Sequence, residues 1–339
     1  MSSPTKMSGA SIKQSLGVPF ENCVFSLSDH YVWCGTIEKL PDGRWFLIYS
    51  CWPLACGFDA WTTHSRIGLA VSETCFGPYR PVKMLFIGGE GAPPVQHNPM
   101  MVRDGADYWL LFMGNNGPWS ESHPPGLDEI SMSNEKWWVH RNNQRVWLAH
   151  TRDPLGEWTV RPTPLFEPEA DYLMTTTPFI FRRLDGRWQV VVKTARRGVP
   201  PRGGRVEHHT FVSDNPQGPF AKLAESLLTG TKTDFPLDDY CMWTMDGKYY
   251  AIVKDHGEGL TSIVPALLML ESNDGLAWHL AADPLVTPFY LDWEDGRRCH
   301  YERLEMPRMI FDEGRPVALQ LSAYEGNNAK SFNLRVPLK

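Results

Sequence analysis

The chain has 339 residues, with 33 lysines and arginines against 39 aspartates and glutamates, which gives a formal net charge of −6. This acidic balance argues against a nucleic-acid or anionic-membrane partner, because both need a surplus of basic residues. The sequence also contains no run of about 18 apolar residues, the length that a membrane-spanning helix needs. We therefore expect neither nucleic acid nor membrane among its partners.

The first twenty residues are polar and lack the apolar central run of a secretion signal. The seven cysteines are scattered and odd in number, and none has the CxxC spacing typical of a zinc or redox site. These features favour free thiols and a cytoplasmic location, with the periplasm or the exterior as the alternative if a signal was removed.

In chain order, the same turn recurs five times before an apolar run. Asp-Gly or Glu-Gly between two apolar runs predicts a hairpin, because both turn residues must accept a positive φ. The five copies are Asp42-Gly43, Asp104-Gly105, Asp185-Gly186, Asp246-Gly247 and Glu313-Gly314. A second type of turn, with glycine followed by an aromatic residue, lies between the copies at 70–79, 149–158, 212–220 and 270–278.

Two hairpins per repeat predict four antiparallel strands per repeat. The chain then divides into five units at about 21–95, 96–170, 171–233, 234–295 and 296–339. The last unit is short, so the N-terminal segment is expected to supply its missing strand and close a ring. The predicted fold is an all-β, five-bladed β-propeller that occupies residues 1–339 as a single domain. A β-sandwich is the alternative, but it does not explain why the two turn types alternate.

The second unit carries a long insertion at 115–144, and the adjacent Trp137 and Trp138 predict that this segment is ordered.

Candidate site residues precede the recurring turns, where the innermost strands of a propeller converge on one mouth. The first unit offers Asp29 and Trp33, and the second offers His97 and Asn98. The later units offer Thr175–Thr177, Asp238-Asp239, Glu302 and Glu305. Carboxylates in three of five units suggest acid–base chemistry, because clustered like charges raise one another's pKa. Since neighbours in a strand point to opposite sides, we expect Asp239 rather than Asp238 to face the axis.

These strands, the Gly-Pro-Tyr/Phe outer turns, His97-Asn98-Pro99 and Leu304–Pro307 resemble the five-bladed propeller glycoside hydrolases. That group comprises the family 43-like superfamily with its anhydrogalactosidase-like and fructosidase-like relatives. The resemblance implies that Asp29 is the base or nucleophile, that Asp239 tunes the site and that Glu305 is the acid. The sequence has Asp29-His30-Tyr31 where the family usually has Arg-Asp-Pro, and His97 where many members have aspartate. His97 is therefore the alternative acid.

Further residues are candidates for binding a sugar. Trp33, Trp137 and Trp138 are expected to stack on a ring, and Arg141, Asn142 and Asn143 to reach hydroxyls or a carboxylate. His97, Asn98 and Asp238 are further candidate contacts. His208-His209 is interpreted as a solvated pair, and Lys193 and Lys254–His256 as strand ends that face solvent. No cofactor or metal site is predicted, although a metal ion in the central channel is left open.

The predicted function is hydrolysis of a glycosidic bond in a small oligosaccharide or at a polysaccharide end, with a carbohydrate as the only expected partner. One alternative is a phosphorylase on the same fold, which needs a basic cluster such as Arg141, Arg145 and Lys193. The other is a sugar-binding propeller without catalysis. The sequence leaves open the sugar, the linkage, the stereochemical course and the oligomeric state.

Overall fold

The computed structural model describes residues 9–86, 91–115, 131–225, 237–326 and 330–339. These residues form three α-helices, namely α1 (Gly9–Ser15), α2 (Trp61–His64) and α3 (Glu135–Asn142). Single 3-10 turns lie at Glu21–Cys23, Leu54–Cys56 and Phe58–Ala60. Within the described ranges, no helix has the length and apolar character needed to cross a membrane.

Strands make up most of the fold. In chain order they are β1 (Val24–Phe25), β2 (His30–Lys39), β3 (Trp45–Pro53), β4 (Arg66–Ser72), β5 (Arg80–Met84), β6 (Val95–Asp104), β7 (Asp107–Asn115), β8 (Gln144–Thr151), β9 (Thr159–Val160), β10 (Tyr172–Arg182) and β11 (Trp188–Arg196). They continue as β12 (Val206–Ser213), β13 (Ala221–Glu225), β14 (Leu237–Met245), β15 (Lys248–Asp255), β16 (Ala266–Ser272), β17 (His279–Pro288), β18 (Tyr290–Asp292), β19 (Arg298–His300), β20 (Arg303–Asp312), β21 (Arg315–Tyr324) and β22 (Ser331–Pro337).

Five four-stranded antiparallel sheets contain all but two of these strands. The first four sheets are consecutive, β2–β5, β6–β9, β10–β13 and β14–β17, and the fifth has the order β1-β22-β21-β20. Val24 and Phe25 of β1 pair with Leu334 and Asn333, so an N-terminal strand is the outermost strand of the fifth sheet. The predicted all-β, five-bladed propeller is confirmed. A two-stranded hairpin, β18-β19, is added between the fourth and fifth sheets.

The hairpin turns follow from the Asp-Gly dipeptides. Gly43 and Gly186 have φ of 93° and 83°, a backbone conformation that costs glycine little. Asp42 accepts a hydrogen bond from the backbone N–H of Arg44 at 3.0 Å, and Asp185 accepts one from that of Arg187 at 3.1 Å. These local preferences fix where each innermost strand turns into its neighbour.

Aromatic and aliphatic side chains fill the space between neighbouring sheets. Phe46 packs on Tyr108 between the first two sheets, and Phe25 packs on Tyr49 across the closure of the ring. The innermost strands β2, β6, β10, β14 and β20 each contact the next, and β20 contacts β2. Five strands from distant parts of the sequence therefore surround one axis.

Candidate active site

Each innermost strand contains the same irregularity. Its pairing with the second strand of the sheet slips by one residue, which is a β-bulge. At each bulge one non-glycine residue has a φ between 44° and 53°, and these residues are Cys34, Asn98, Thr177, Asp239 and Met306. Positive φ is uncommon outside glycine, and bulges redirect the side chains around them.

The bulge brings two consecutive side chains of a strand to one pocket. Asp238 and Asp239 both line it and are 3% and 6% exposed. The prediction that only one of them faces the axis was wrong, because regular alternation fails where Asp239 has a φ of 51°. The corresponding pairs in the other blades are Trp33-Cys34, His97-Asn98, Thr176-Thr177 and Glu305-Met306, of which all but Cys34 line the pocket.

The pocket has a volume of about 530 Å³, which lies within the range of small-molecule sites. Its wall is rich in aromatic side chains, contributed by Trp33, Trp52, Phe58, Trp61, Trp137 and Trp138. Such a wall suits the apolar face of a sugar ring.

The described part of the predicted insertion forms α3, and residues 116–130 of that insertion lie outside the described ranges. Asn134 caps the helix by accepting a hydrogen bond from the N–H of Lys136. Trp137 Nε1 donates to the carbonyl of Asp59 at 2.9 Å, which holds the helix against the segment that follows β3. Trp137 and Trp138 thereby become part of the pocket wall.

Asp29 is not among the residues that line this pocket. Its side chain is 77% exposed and accepts a hydrogen bond from His30 Nδ1 at 2.8 Å. When the innermost strands are aligned on their bulges, Trp33 of the first blade matches Asp238. Asp29 lies four residues before Trp33, ahead of the start of β2. The expectation that Asp29 meets Asp239 and Glu305 is corrected, whereas Asp239 and Glu305 do share the pocket.

Asp238 lies in a buried basic environment. Lys193 Nζ is 2.5 Å from its Oδ2, and the Nε2 atoms of His208 and His256 lie 3.8 and 4.0 Å from its carboxylate. Burial raises the pKa of Asp238, but the charge of Lys193 and the neighbouring histidines outweigh it and hold the pKa well below 3.8. Asp238 is therefore ionised at neutral pH.

Glu305 is the second ionised carboxylate. It forms a buried ion pair with Lys254, and Arg303 Nη1 lies 3.5 Å from the same oxygen. Burial opposes ionisation, yet the charges of Lys254 and Arg303 lower the pKa of Glu305 below its ordinary value.

Asp239 differs from both neighbours. Within the described ranges no hydrogen bond or ion pair involves its carboxyl group. Burial, followed by the negative charges of Asp238 and Glu305, raises the pKa of Asp239 from 3.8 to about 7. The pocket thus combines a protonated carboxyl group with two carboxylates, the division of roles that acid–base catalysis requires.

His97 is poorly suited to donate a proton. It stacks on Trp61 with ring centroids 5.1 Å apart, and its Nδ1 is 2.8 Å from Ser65 Oγ. Burial, reinforced by the charge of Lys193, lowers the pKa of His97 to about 3. This ring is neutral at physiological pH, so we expect it to hold Trp61 in place in the aromatic wall and to contact a ligand.

Of the residues predicted to make polar contacts with a sugar, some line the pocket and others do not. Arg141 and Asp238 line the pocket, but Asn142 does not. Asn142 Nδ2 donates to the carbonyl of Pro201 at 2.6 Å, so this side chain links α3 to a neighbouring loop. Asn98 lines the pocket while its amide accepts from Cys34 Sγ and donates to Thr177 Oγ1, which ties three blades together.

The lysines are the main residues whose role the sequence analysis missed. Lys254 is 4% exposed and pairs in register with Asp238, so the interpretation of this strand end as solvent-facing was wrong. Lys193 lies opposite Thr176 at the matching place in the third blade. Lys193 and Lys254 each lie seven residues after the glycine of an Asp-Gly turn, and this shared spacing was the available signal.

The interpretation of His208-His209 as a solvated pair was also wrong. The two residues are 0% and 4% exposed, and His208 faces Asp238. Both lie on β12, the third strand of the blade, and pair in register with Lys193 and Val192.

One group of side chains could contribute metal ligands. Asp238, Asp239 and His256 each offer one ligand atom, and these atoms lie within 4.8 Å of one another. The group fits a cation poorly, because the Lys193 ammonium already lies 2.5 Å from Asp238 Oδ2 and supplies positive charge there. We therefore derive no step through a metal ion.

No family model and no curated protein matches the chain. Solved structures do match it. One described as a glycoside hydrolase has a TM-score of 0.68 and 12% identity, and the match covers 98% of this chain and 95% of the other. The chain has the five-bladed propeller fold of glycoside hydrolases. The resemblance noted from the sequence is thus confirmed at the level of the fold.

Two further structures indicate the range of that fold. A family 117 glycoside hydrolase from Zobellia galactanivorans has a TM-score of 0.55 and 15% identity, covering 88% of this chain and 84% of the other. The Cellvibrio cellulosa α-L-arabinanase complexed with arabinohexaose has a TM-score of 0.54 and 11% identity, covering 93% and 96%. At these identities the similarity establishes the fold, and the chemistry must be argued from the pocket.

Proposed function

We propose that this propeller is a glycoside hydrolase in which Asp239 is the proton donor and Glu305 the ionised carboxylate. Asp238 has the third role, as a fixed negative charge that adds to the effect of burial in keeping Asp239 protonated. This assignment gives Asp239 the acid role that the resemblance implied for Glu305, and it gives Glu305 the role of base or nucleophile that the resemblance implied for Asp29. Asp29 is left without a catalytic role.

The observation that carries the proposal is the contrast between Asp239 and its two neighbours. Cleavage of a glycosidic bond needs one protonated group at the leaving oxygen and one carboxylate on the other side of the ring. Asp239 is protonated up to about pH 7, while Lys254 and Arg303 keep Glu305 ionised. The two residues come from adjacent blades of the ring, which suits groups that must act on a sugar from different sides.

In the proposed reaction, Asp239 transfers its proton to the leaving oxygen as the glycosidic bond breaks. In one course Glu305 removes a proton from the water that attacks the anomeric carbon. In the other, Glu305 attacks the anomeric carbon itself, and Asp239, now ionised, takes a proton from the water that breaks the bond between Glu305 and the sugar. Burial of these groups against an aromatic wall strengthens every charge interaction in the pocket. The aromatic wall would hold the sugar ring in place.

A comparison of leaving groups tests the assignment. Asp239→Asn should lower the turnover of alkyl glycosides by about 10²–10⁴-fold, because their leaving oxygen needs a proton. It should largely spare kcat/KM for 2,4-dinitrophenyl glycosides, because this constant reports the step in which the glycosidic bond breaks and their leaving group departs without protonation. Glu305→Gln should lower turnover of both substrates, since its carboxylate acts on the ring.

Asp29→Asn is the matched comparison, because it removes a carboxylate that lies outside the pocket. We expect full turnover from this variant. Loss of turnover in Asp29→Asn with retention in Asp239→Asn would overturn the proposal. So would wild-type protein that cleaves no glycoside in a broad panel.

A further inference from the structure

Two arginines at the pocket are arranged around one tryptophan. Arg141 lies on α3, and Arg202 lies in the loop between β11 and β12. Their guanidinium carbons are 5.8 and 4.8 Å from the centroid of the Trp138 ring. Because guanidinium groups favour aromatic faces, Trp138 orients both cations.

A second connection joins the same two segments. Arg141 Nη1 donates to Asn142 Oδ1 at 2.9 Å, and Asn142 Nδ2 donates to the carbonyl of Pro201, the residue before Arg202. The arginines therefore come from separate elements that are tied together by Trp138 and Asn142.

These two arginines differ from the other cations of the pocket. Lys193 is paired with Asp238, and Lys254 and Arg303 are paired with Glu305. Across the described part of the chain, neither Arg141 nor Arg202 has a carboxylate oxygen within 4.0 Å. Among the described residues, these two arginines therefore form no contact ion pair with an acid of the pocket.

Arg141 is only 8% exposed. Burial lowers the pKa of its guanidinium to about 10; the charge of Asp238 opposes this shift, and the charge of Arg202 adds to it. A buried cation without a carboxylate at contact distance is unfavourable, so binding of an anion beside it is favoured.

We propose that Arg141 and Arg202 form a subsite for the carboxylate of an acidic sugar, so that the substrate is a uronic acid glycoside. This inference rests on the proposed function and names its substrate class. Two arginines match a carboxylate well, because each guanidinium presents a planar set of donors.

A phosphate ion is the other oxyanion that arginines bind, and it would be the nucleophile of a phosphorylase. Such a phosphate must reach the anomeric carbon beside Asp239 and Glu305, where the nearby lysines are already paired with acids. Of the cluster that this alternative needed, Arg145 pairs with Glu167 at 2.7 Å and does not line the pocket. The arginines that are present belong to α3 and the β11–β12 loop, a placement that suits a substituent of the sugar.

Calorimetric titration of the free sugars tests the subsite without requiring turnover. The ligands are D-glucuronate, D-galacturonate, D-mannuronate and L-iduronate, each beside its neutral hexose, and inorganic phosphate. We expect wild-type protein to bind at least one uronate about tenfold more tightly than its neutral counterpart, a preference that weakens with added salt.

Three variants make the test specific. Arg202→Met and the double change Arg141→Met/Arg202→Met should abolish the preference while leaving neutral-sugar binding in place. Arg161→Met, which removes an exposed arginine outside the pocket, should retain it. Because Arg202 is exposed, its single variant should fold even if loss of Arg141 disturbs α3.

The outcomes separate this inference from the proposed function. Equal affinity for uronates and neutral sugars, or a preference that survives Arg202→Met, overturns the subsite and leaves the hydrolase proposal standing. A third outcome assigns the arginines to phosphorolysis instead. In that case phosphate binding depends on Arg202, uronates are not preferred, and turnover requires phosphate. A uronate preference in a protein that cleaves no glycoside supports the subsite and overturns the hydrolase.

Discussion

Replacement of Asp238 by asparagine should move the alkaline limit of activity to lower pH. In the proposed mechanism Asp239 must be protonated, and activity therefore falls as pH rises through its pKa of about 7. Burial is the first cause of that raised pKa, and the charge of Asp238 is the second. Asp238→Asn removes the charge while preserving the shape of the side chain.

The size of the effect follows from the spacing of the two groups. Their ligand atoms lie within 4.8 Å of each other. At an effective dielectric constant of about 20, two charges at roughly 5 Å interact by about 3 kcal/mol. This energy corresponds to about two pKa units, so the alkaline limb of kcat/KM should move from near pH 7 towards about pH 5.

The assay is a pH profile of kcat/KM for an alkyl glycoside, paired with an NMR titration of carboxyl-labelled aspartate that follows Asp239 without catalysis. Asp29→Asn should leave both curves unchanged, because that carboxylate lies outside the pocket. A pKa for Asp239 that stays near 7 or rises in Asp238→Asn would refute the role assigned to Asp238.

Three further predictions concern stability. Asp239 has a folded-state pKa above its ordinary 3.8, so its burial costs stability as pH rises from about 4 to 7; Asp239→Asn should add up to about 4 kcal/mol to the free energy of unfolding at pH 8 and much less at pH 4, measured with urea. Lys254→Met should cost about 3–5 kcal/mol by removing the nearer of the two cations beside the buried Glu305, and Lys254→Met/Glu305→Gln should recover part of the loss; no recovery would contradict the ion pair. Gly35→Ala should cost about 1–3 kcal/mol, because the new methyl group would overlap the Gln320 amide and lie 2.8 Å from Leu47 Cδ1; unchanged denaturant midpoints would show that the site relaxes.

The fold was predictable because its determinants are local. Asp-Gly turns and apolar runs recur at regular spacing, and each predicts one hairpin without knowledge of the rest of the chain. The hairpin β18-β19 was missed although Gly296 has a φ of 83° in an Asp-Gly turn, because the hairpin belongs to no repeat.

The site was only partly predictable. Asp239 and Glu305 were found because each is an acidic residue a few positions before a recurring turn. Asp29 was misplaced because its match required the position of the bulge, which depends on pairing across the sheet. The roles of Lys193 and Lys254 also depend on that pairing, and their charges decide which acid is protonated.

The repeated bulge has a consequence for how chemistry can change on this scaffold. One backbone geometry is reproduced in five places around the axis, and only side-chain identity distinguishes the threonines of the third blade from the aspartates of the fourth. Exchanging a residue such as Met306 therefore adds or removes a functional group at a position that the backbone already directs into the pocket. Different side chains at the five bulges would therefore allow different chemistry within the same five-bladed fold.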